Sequence, residues 1–79
     1  MIPPGRYQHY KGKFYEVLGT AIHSETKEKL VVYQGLYNDP DLGENPLFVR
    51  PEKMFLENVN INGKQYPRFR LSPPFPKDI

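Results

Sequence analysis

Residues 56–71, LENVNINGKQYPRFRL, carry the clearest structural signal in the chain. Asn62-Gly63 lies between two segments that alternate apolar and polar side chains. A two-residue type I′ turn needs positive φ at both central positions, and Asn-Gly is the pair that supplies it most readily. The turn sets a register in which Ile61 faces Lys64, Val59 faces Tyr66, Glu57 faces Arg68 and Leu56 faces Phe69. Near the turn the apolar face is Val59, Ile61 and Tyr66. Farther out the apolar pair, Leu56 and Phe69, belongs to the other face. A hairpin whose buried face switches in this way calls for a bulge or a twist through a corner of the sheet.

The rest of the chain is also read as antiparallel strands. Nine prolines and six glycines punctuate it, and no stretch holds a helical period for ten residues. Arg6–Tyr10 is the expected first strand, closed by Lys11-Gly12. Lys13–His23 and Leu30–Tyr37 form a long hairpin around the polar segment 24–29. A symmetric pairing sets His23 opposite Leu30. Tyr15, Val17, Ala21 and His23 then share a face with Leu30, Val32 and Leu36, and Phe14, Leu18, Ile22, Val31, Tyr33 and Tyr37 take the other. Two apolar faces suit strands that coil across a small barrel, and Gly19 and Gly35 lie where bends are cheap. Residues 38–46 read as a long acidic loop, mobile or functional. Leu47–Arg50 is a short strand, and Pro51 opens a helical turn over Pro51–Met54. The expected fold is all-β, a small antiparallel five-stranded SH3-like barrel with one short helical turn. An OB-fold has a similar inventory but would want a longer helix.

The chain of 79 residues is expected to form one domain, with its core over 5–71 and a proline-rich tail over 72–79. It contains no cysteine, which excludes disulfides, thiolate metal sites and a cysteine nucleophile. No apolar run approaches the roughly 20 residues of a membrane helix, and MIPPG lacks the features of a signal peptide. A soluble, cytoplasmic protein without membrane contact is expected. The net charge of +2 is unevenly spread. Residues 1–13 carry +3, residues 14–62 carry four basic and eight acidic side chains, and residues 63–79 carry +3. If the end strands meet, they form one basic strip beside an acidic remainder.

The basic ends are also rich in rings. Single-stranded nucleic acid is held by rings that stack on bases and cations that follow phosphates. Arg6, Tyr7, His9, Tyr10, Lys11, Lys13, Tyr66, Arg68 and Arg70 offer both chemistries, against the plainer reading of tyrosines as core rings with wet tips. Arg50 ends a strand directly before Pro51, where its planar fork can clamp a carboxylate or phosphate or staple the acidic loop. The candidate ligand-binding set is Tyr7, His9, Tyr10, Lys11, His23, Arg50, Arg68 and Arg70. The expected partner is a single-stranded RNA or nucleotide-like anion. The alternative is a protein partner, including a second copy of the chain. A small hydrolase or transferase built on His23 or His9 is the least favoured reading. His23-Ser24-Glu25 cannot form a triad among adjacent residues, so no catalytic residue is singled out. No H-x-x-x-H spacing or calcium-loop pattern is present, and neither a metal site nor a cofactor is expected.

Four segments together, YQHYKGKFYEVLG, HSETKEKLVVYQGLY, FVRPEKMFLENV and PRF, resemble in order and spacing the small bacterial DUF1653 family, a domain of unknown function. The resemblance covers Gly5 to Phe69. It implies that His9, Tyr10, Lys11, Gly12, His23, Ser24, Glu25, Tyr33, Tyr37, Arg50, Pro51, Met54, Phe55, Arg68 and Phe69 are characteristic positions. It implies no activity. Phe48 stands where the pattern has tryptophan, and the acidic loop is longer than the pattern's.

Overall fold

A computed structural model describes residues 2–71; the proline-rich tail lies outside the described residues. The elements are β1 (Gly5–His9), β2 (Phe14–Ile22), β3 (Lys29–Gly35), β4 (Asn38–Asp39), β5 (Gly43–Glu44), β6 (Leu47–Pro51), α1 (Glu52–Phe55), β7 (Asn58–Ile61), β8 (Lys64–Pro67) and β9 (Phe69–Leu71). The principal sheet is antiparallel, in the order β6-β3-β2-β1-β9. The pairs β4-β5 and β7-β8 form separate two-stranded sheets.

The last hairpin follows its turn. Asn62 and Gly63 have φ of 52° and 82°, and the Asn60 side-chain oxygen accepts from the Gly63 amide. Ile61 pairs with Lys64 and Val59 with Tyr66, and the Arg68 amide donates to the Glu57 carbonyl. The switch of buried face falls at Arg68, where the expected single strand 64–71 divides. There the chain leaves the small hairpin and enters the principal sheet, so Phe69 pairs with His9 and is buried, while Leu56 stays exposed.

The long hairpin departs from the symmetric pairing in two ways. Its turn is tighter, because His23 N–H and Lys27 N–H close on the Glu28 and His23 carbonyls with Lys27 at φ 64°. Ile22 therefore pairs with Lys29 and Ala21 with Leu30. A bulge between Val17 and Gly19 then re-phases the strand. One extra residue turns every later side chain to the other face. Val17 and Tyr33, expected on opposite faces, are paired and both buried.

The SH3-like barrel is met only in part. Five antiparallel strands lie side by side, but β6 and β9 are not hydrogen-bonded to each other and the sheet stays open. Between these strands the chain makes α1 and the β7-β8 hairpin, and α1 contacts β3 and β6. The helical turn starts one residue later than expected, after Pro51, and delivers Phe55 to the core, where its ring stacks on Phe69 at 4.1 Å and 2°. The core is Ile2, Tyr7, Val17, Val31, Tyr33, Phe55 and Phe69, with Tyr15 and Phe48 packed against it. The acidic loop is an ordered hairpin. Asp39 caps it by accepting from the Asp41 and Leu42 amides at 2.9 and 3.0 Å, contacts that lower its pKa.

Gly35 is required by a close approach. A Cβ there would lie 2.7 Å from Cε1 of Tyr37, whose hydroxyl meets that of Tyr15 at 3.2 Å. Gly35→Ala is expected to displace Tyr37 and to cost about 1–3 kcal/mol in urea unfolding. Tyr37→Leu should remove most of the added cost, so the double variant is more stable than the sum of the single losses.

Candidate anion-binding site

The pairing of β1 with β9 brings the two basic chain ends together, with Gln8 opposite Arg70 and His9 opposite Phe69. Phe69 is the landmark around which the site assembles. His9 meets it edge-on at 4.9 Å. Arg50, from the far edge of the sheet, places its guanidinium 5.6 Å from the Phe69 ring centre. Arg68 directly precedes it. Tyr15 and Tyr33 close on the same ring at 5.6 and 5.5 Å. Side chains thus meet where the backbone leaves β6 and β9 unpaired.

Each polar group in this cluster is partly committed. Arg50 donates through Nε to the Tyr33 hydroxyl at 3.1 Å and makes no ion pair with the acidic loop among the described residues. The staple through Asp39, Asp41 or Glu44 is therefore not the contact Arg50 makes. Arg68 faces Glu57 across 3.6 Å, and its buried Nε has no acceptor. The Arg68 carbonyl accepts from the Tyr10 amide, tying the hairpin junction to the end of β1.

His9 is half-buried, and its Nδ1 accepts from the Lys11 amide at 3.1 Å. In the neutral ring this places the proton on Nε2, which becomes a donor. Burial pushes the pKa down from 6.5 to about 4, helped by the positive fields of Arg50, Arg68 and Lys11. At neutral pH His9 is therefore an uncharged donor beside two guanidinium groups. Its basic lone pair is already engaged, which does not suit a general base. Tyr15 is held protonated, its pKa raised by burial and by the hydroxyl of Tyr37.

The remaining candidates lie at different places. Tyr7 is a core ring, edge-on to Phe55, and its hydroxyl donates to the Pro3 carbonyl. Tyr10 leans on His9 at 4.5 Å, with the Lys11 ammonium 5.9 Å above it. Arg70 is half-buried on β9. His23 stands at the other end of β2. At about 3.3 Å per residue, the strand separates the two histidines by well over 20 Å. Its Nδ1 accepts from the Glu25 and Thr26 amides at 3.2 and 3.3 Å, a capping role in the hairpin loop. The two histidines therefore flank opposite ends of β2. Among the described residues no group of three or more His, Cys, Asp or Glu side chains is placed to hold a metal, and no helix is long and apolar enough to cross a membrane.

Sequence reasoning missed the convergence on Phe69. Tyr33 and Tyr15 join the cluster only because the bulge turns Val17 and Tyr33 to one face. Two further cation-ring contacts lie outside it, Arg6 over Phe14 and Lys13 over Tyr37, each at 4.2 Å.

The sequence matches the family described as protein of unknown function (DUF1653) over residues 5–71. A crystal structure of a DUF1653 protein from Bordetella bronchiseptica is similar to this chain, with 36% sequence identity and a TM-score of 0.78. The likeness covers 92% of this chain and 95% of that one. No curated protein gives a significant match.

The low pKa of His9 has a stability consequence. The folded state disfavours the imidazolium, so between 6.5 and about 4 the unfolded chain binds more protons. Stability from this group is complete above that window and falls as pH drops through it. The loss should be on the order of 1–2 kcal/mol, discounted for partial exposure. Urea midpoints measured across the window should show the decline in the wild type. The advantage of the wild type over His9→Gln should shrink as pH falls.

Proposed function

The chain belongs to the DUF1653 family, whose description assigns no activity, and we propose from its own side chains that it is a non-catalytic binding module for a single-stranded RNA or nucleotide-like anion. The observation that carries this reading is the gathering of Arg50 and Arg68 about an uncharged His9 beside the Phe69 ring. The β1-β9 pairing supports it, because it sets Arg70 and the Lys11 turn beside the same seam. We read the fold as an SH3-like arrangement opened between β6 and β9, with the opening as the ligand's place.

The roles divide by exposure. Arg50, Arg68 and Lys11 supply positive charge, and His9 supplies a neutral N–H. Tyr10 is the ring available for stacking, and a ring of this kind contributes about 1–3 kcal/mol per base. Tyr7 serves as the floor of the site and does not meet the ligand. His23 takes no part. The neutral, amide-bound histidine and the shielded Tyr15 hydroxyl favour binding over catalysis.

A second reading rests on a separate observation. Leu47 and Val49 are 63% and 62% exposed on the edge strand β6. An unpaired edge with exposed apolar side chains suits pairing with a second copy of the chain. Sedimentation equilibrium should then give a dimer that Val49→Lys dissociates. A monomer at the highest soluble concentration would remove this reading.

For the leading reading, an amide-resolved NMR titration with a mixed-sequence single-stranded RNA is expected to give saturable shifts over 6–13 and 64–70. The affinity should fall steeply as salt rises, because phosphate contacts release counterions. Absence of shifts with millimolar RNA would overturn it.

A further inference from the structure

We infer that the seam between β6 and β9 is a cradle for a single phosphomonoester group, so that the module recognises a phosphate-terminated ligand and not an internal stretch of nucleic-acid backbone. The inference rests on the anion-binding reading above and adds to it the chemical class of the group that is held.

The donors set the class. Arg68 Nε is buried without an acceptor, and a buried donor left unpaired costs about 1–3 kcal/mol. An oxyanion that draws the Arg68 side chain toward the seam would supply what is missing. Arg50 uses Nε on Tyr33, which leaves its two terminal nitrogens for a ligand. His9 offers Nε2–H, because Nδ1 is occupied by the Lys11 amide. Two of these donor groups, on His9 and Arg50, contact the Phe69 ring, and Arg68 lies near enough for its charge to act on the same His9. A phosphomonoester presents three terminal oxygens, whereas a carboxylate has two and a phosphodiester leaves only two unesterified.

Charge points the same way. Arg50, Arg68 and Lys11 act together on His9, and Arg68 is met by Glu57, an exposed carboxylate, only at 3.6 Å. A dianion offsets more of this field than a monoanion. The site is also half-enclosed, since His9, Arg50 and Arg68 are each partly buried around a buried ring. A compact end group fits such a place better than a chain that must enter and leave.

The test is an NMR titration of the full chain with inorganic phosphate, uridine 5′-monophosphate, uridine and acetate. A pentauridylate is compared with and without a 5′-phosphate. Phosphate and the monophosphate are expected to shift the amides of His9, Arg68 and Phe69 saturably, while uridine and acetate do not. The 5′-phosphorylated oligomer should bind about tenfold tighter than its 5′-hydroxyl form, the magnitude of one charge-assisted hydrogen bond. Arg68→Lys keeps the charge but removes Nε, and should abolish that difference. If it unfolds, Arg50→Lys, which keeps the charge but replaces the two terminal nitrogens left for the ligand by one ammonium, should abolish the difference instead. The His9 ring titration should move upward from about 4 with phosphate bound, since burial remains but the dianion offsets the cationic fields. Equal binding of the two oligomers with no response to phosphate would overturn the cradle and leave the RNA reading standing. Phosphate binding without oligomer binding would support the cradle and remove RNA as the ligand. Acetate acting as well as phosphate would overturn the assignment to a phosphomonoester.

Discussion

The contact between Phe69 and Phe55 holds the architecture together. The two rings lie parallel at 4.1 Å and join a four-residue helical turn to a three-residue strand. Neither element is long enough to be stable alone. Phe55 reaches the core from the segment that interrupts the sheet, and Phe69 reaches it from the strand that resumes it. Tyr7, Tyr15 and Tyr33 pack edge-on around this pair. Edge-to-face contacts match the positive rim of one ring to the negative face of the next. Four of the seven buried core side chains among the described residues are rings, so aromatic contacts carry much of the packing.

The same arrangement accounts for the position of the candidate site. A ring stack can bridge two sheet edges without joining their backbones. The side chains next to it are therefore held firmly. Arg68 occupies the one residue that belongs to neither β8 nor β9, with its amide bonded to Glu57 and its carbonyl to Tyr10. Its backbone is fixed from both sides, which limits where its side chain can go. Arg50 is fixed through Tyr33 in a comparable way. Groups restrained by such supporting contacts lose less conformational freedom when they bind.

Much of this was readable from residue order. The Asn62-Gly63 turn, the Val59–Tyr66 register and the change of buried face before Phe69 all follow from turn chemistry and period-two alternation. The antiparallel all-β class followed from the spacing of Gly and Pro. Three features were not readable. The bulge at Leu18 depends on how Val17 packs against Tyr33, a contact between distant residues. The open seam depends on Phe55 entering between β6 and β9, whose pairing would have closed a barrel. The joining of Arg50 to the basic chain ends requires the whole sheet to be assembled, because β6 and β9 lie at its opposite edges. Local propensity reports none of these. His23 shows the converse. Its place beside Ser24 and Glu25 suggested chemistry, yet its ring nitrogen only caps the turn.

The β1-β9 pairing also bears on how the protein is made. Tyr7 pairs with Leu71, so the sheet cannot be completed until residue 71 has left the ribosome. Until then the β1 edge has no partner and Phe55 lacks the ring it stacks on. Contacts this distant in sequence slow folding, because loop closure must precede the burial that rewards it. A partly synthesised chain presents an unpaired strand edge and exposed rings, the features by which nascent chains associate. Folding of this sheet therefore waits on the arrival of β9, the strand most distant in sequence from the β1 edge it covers.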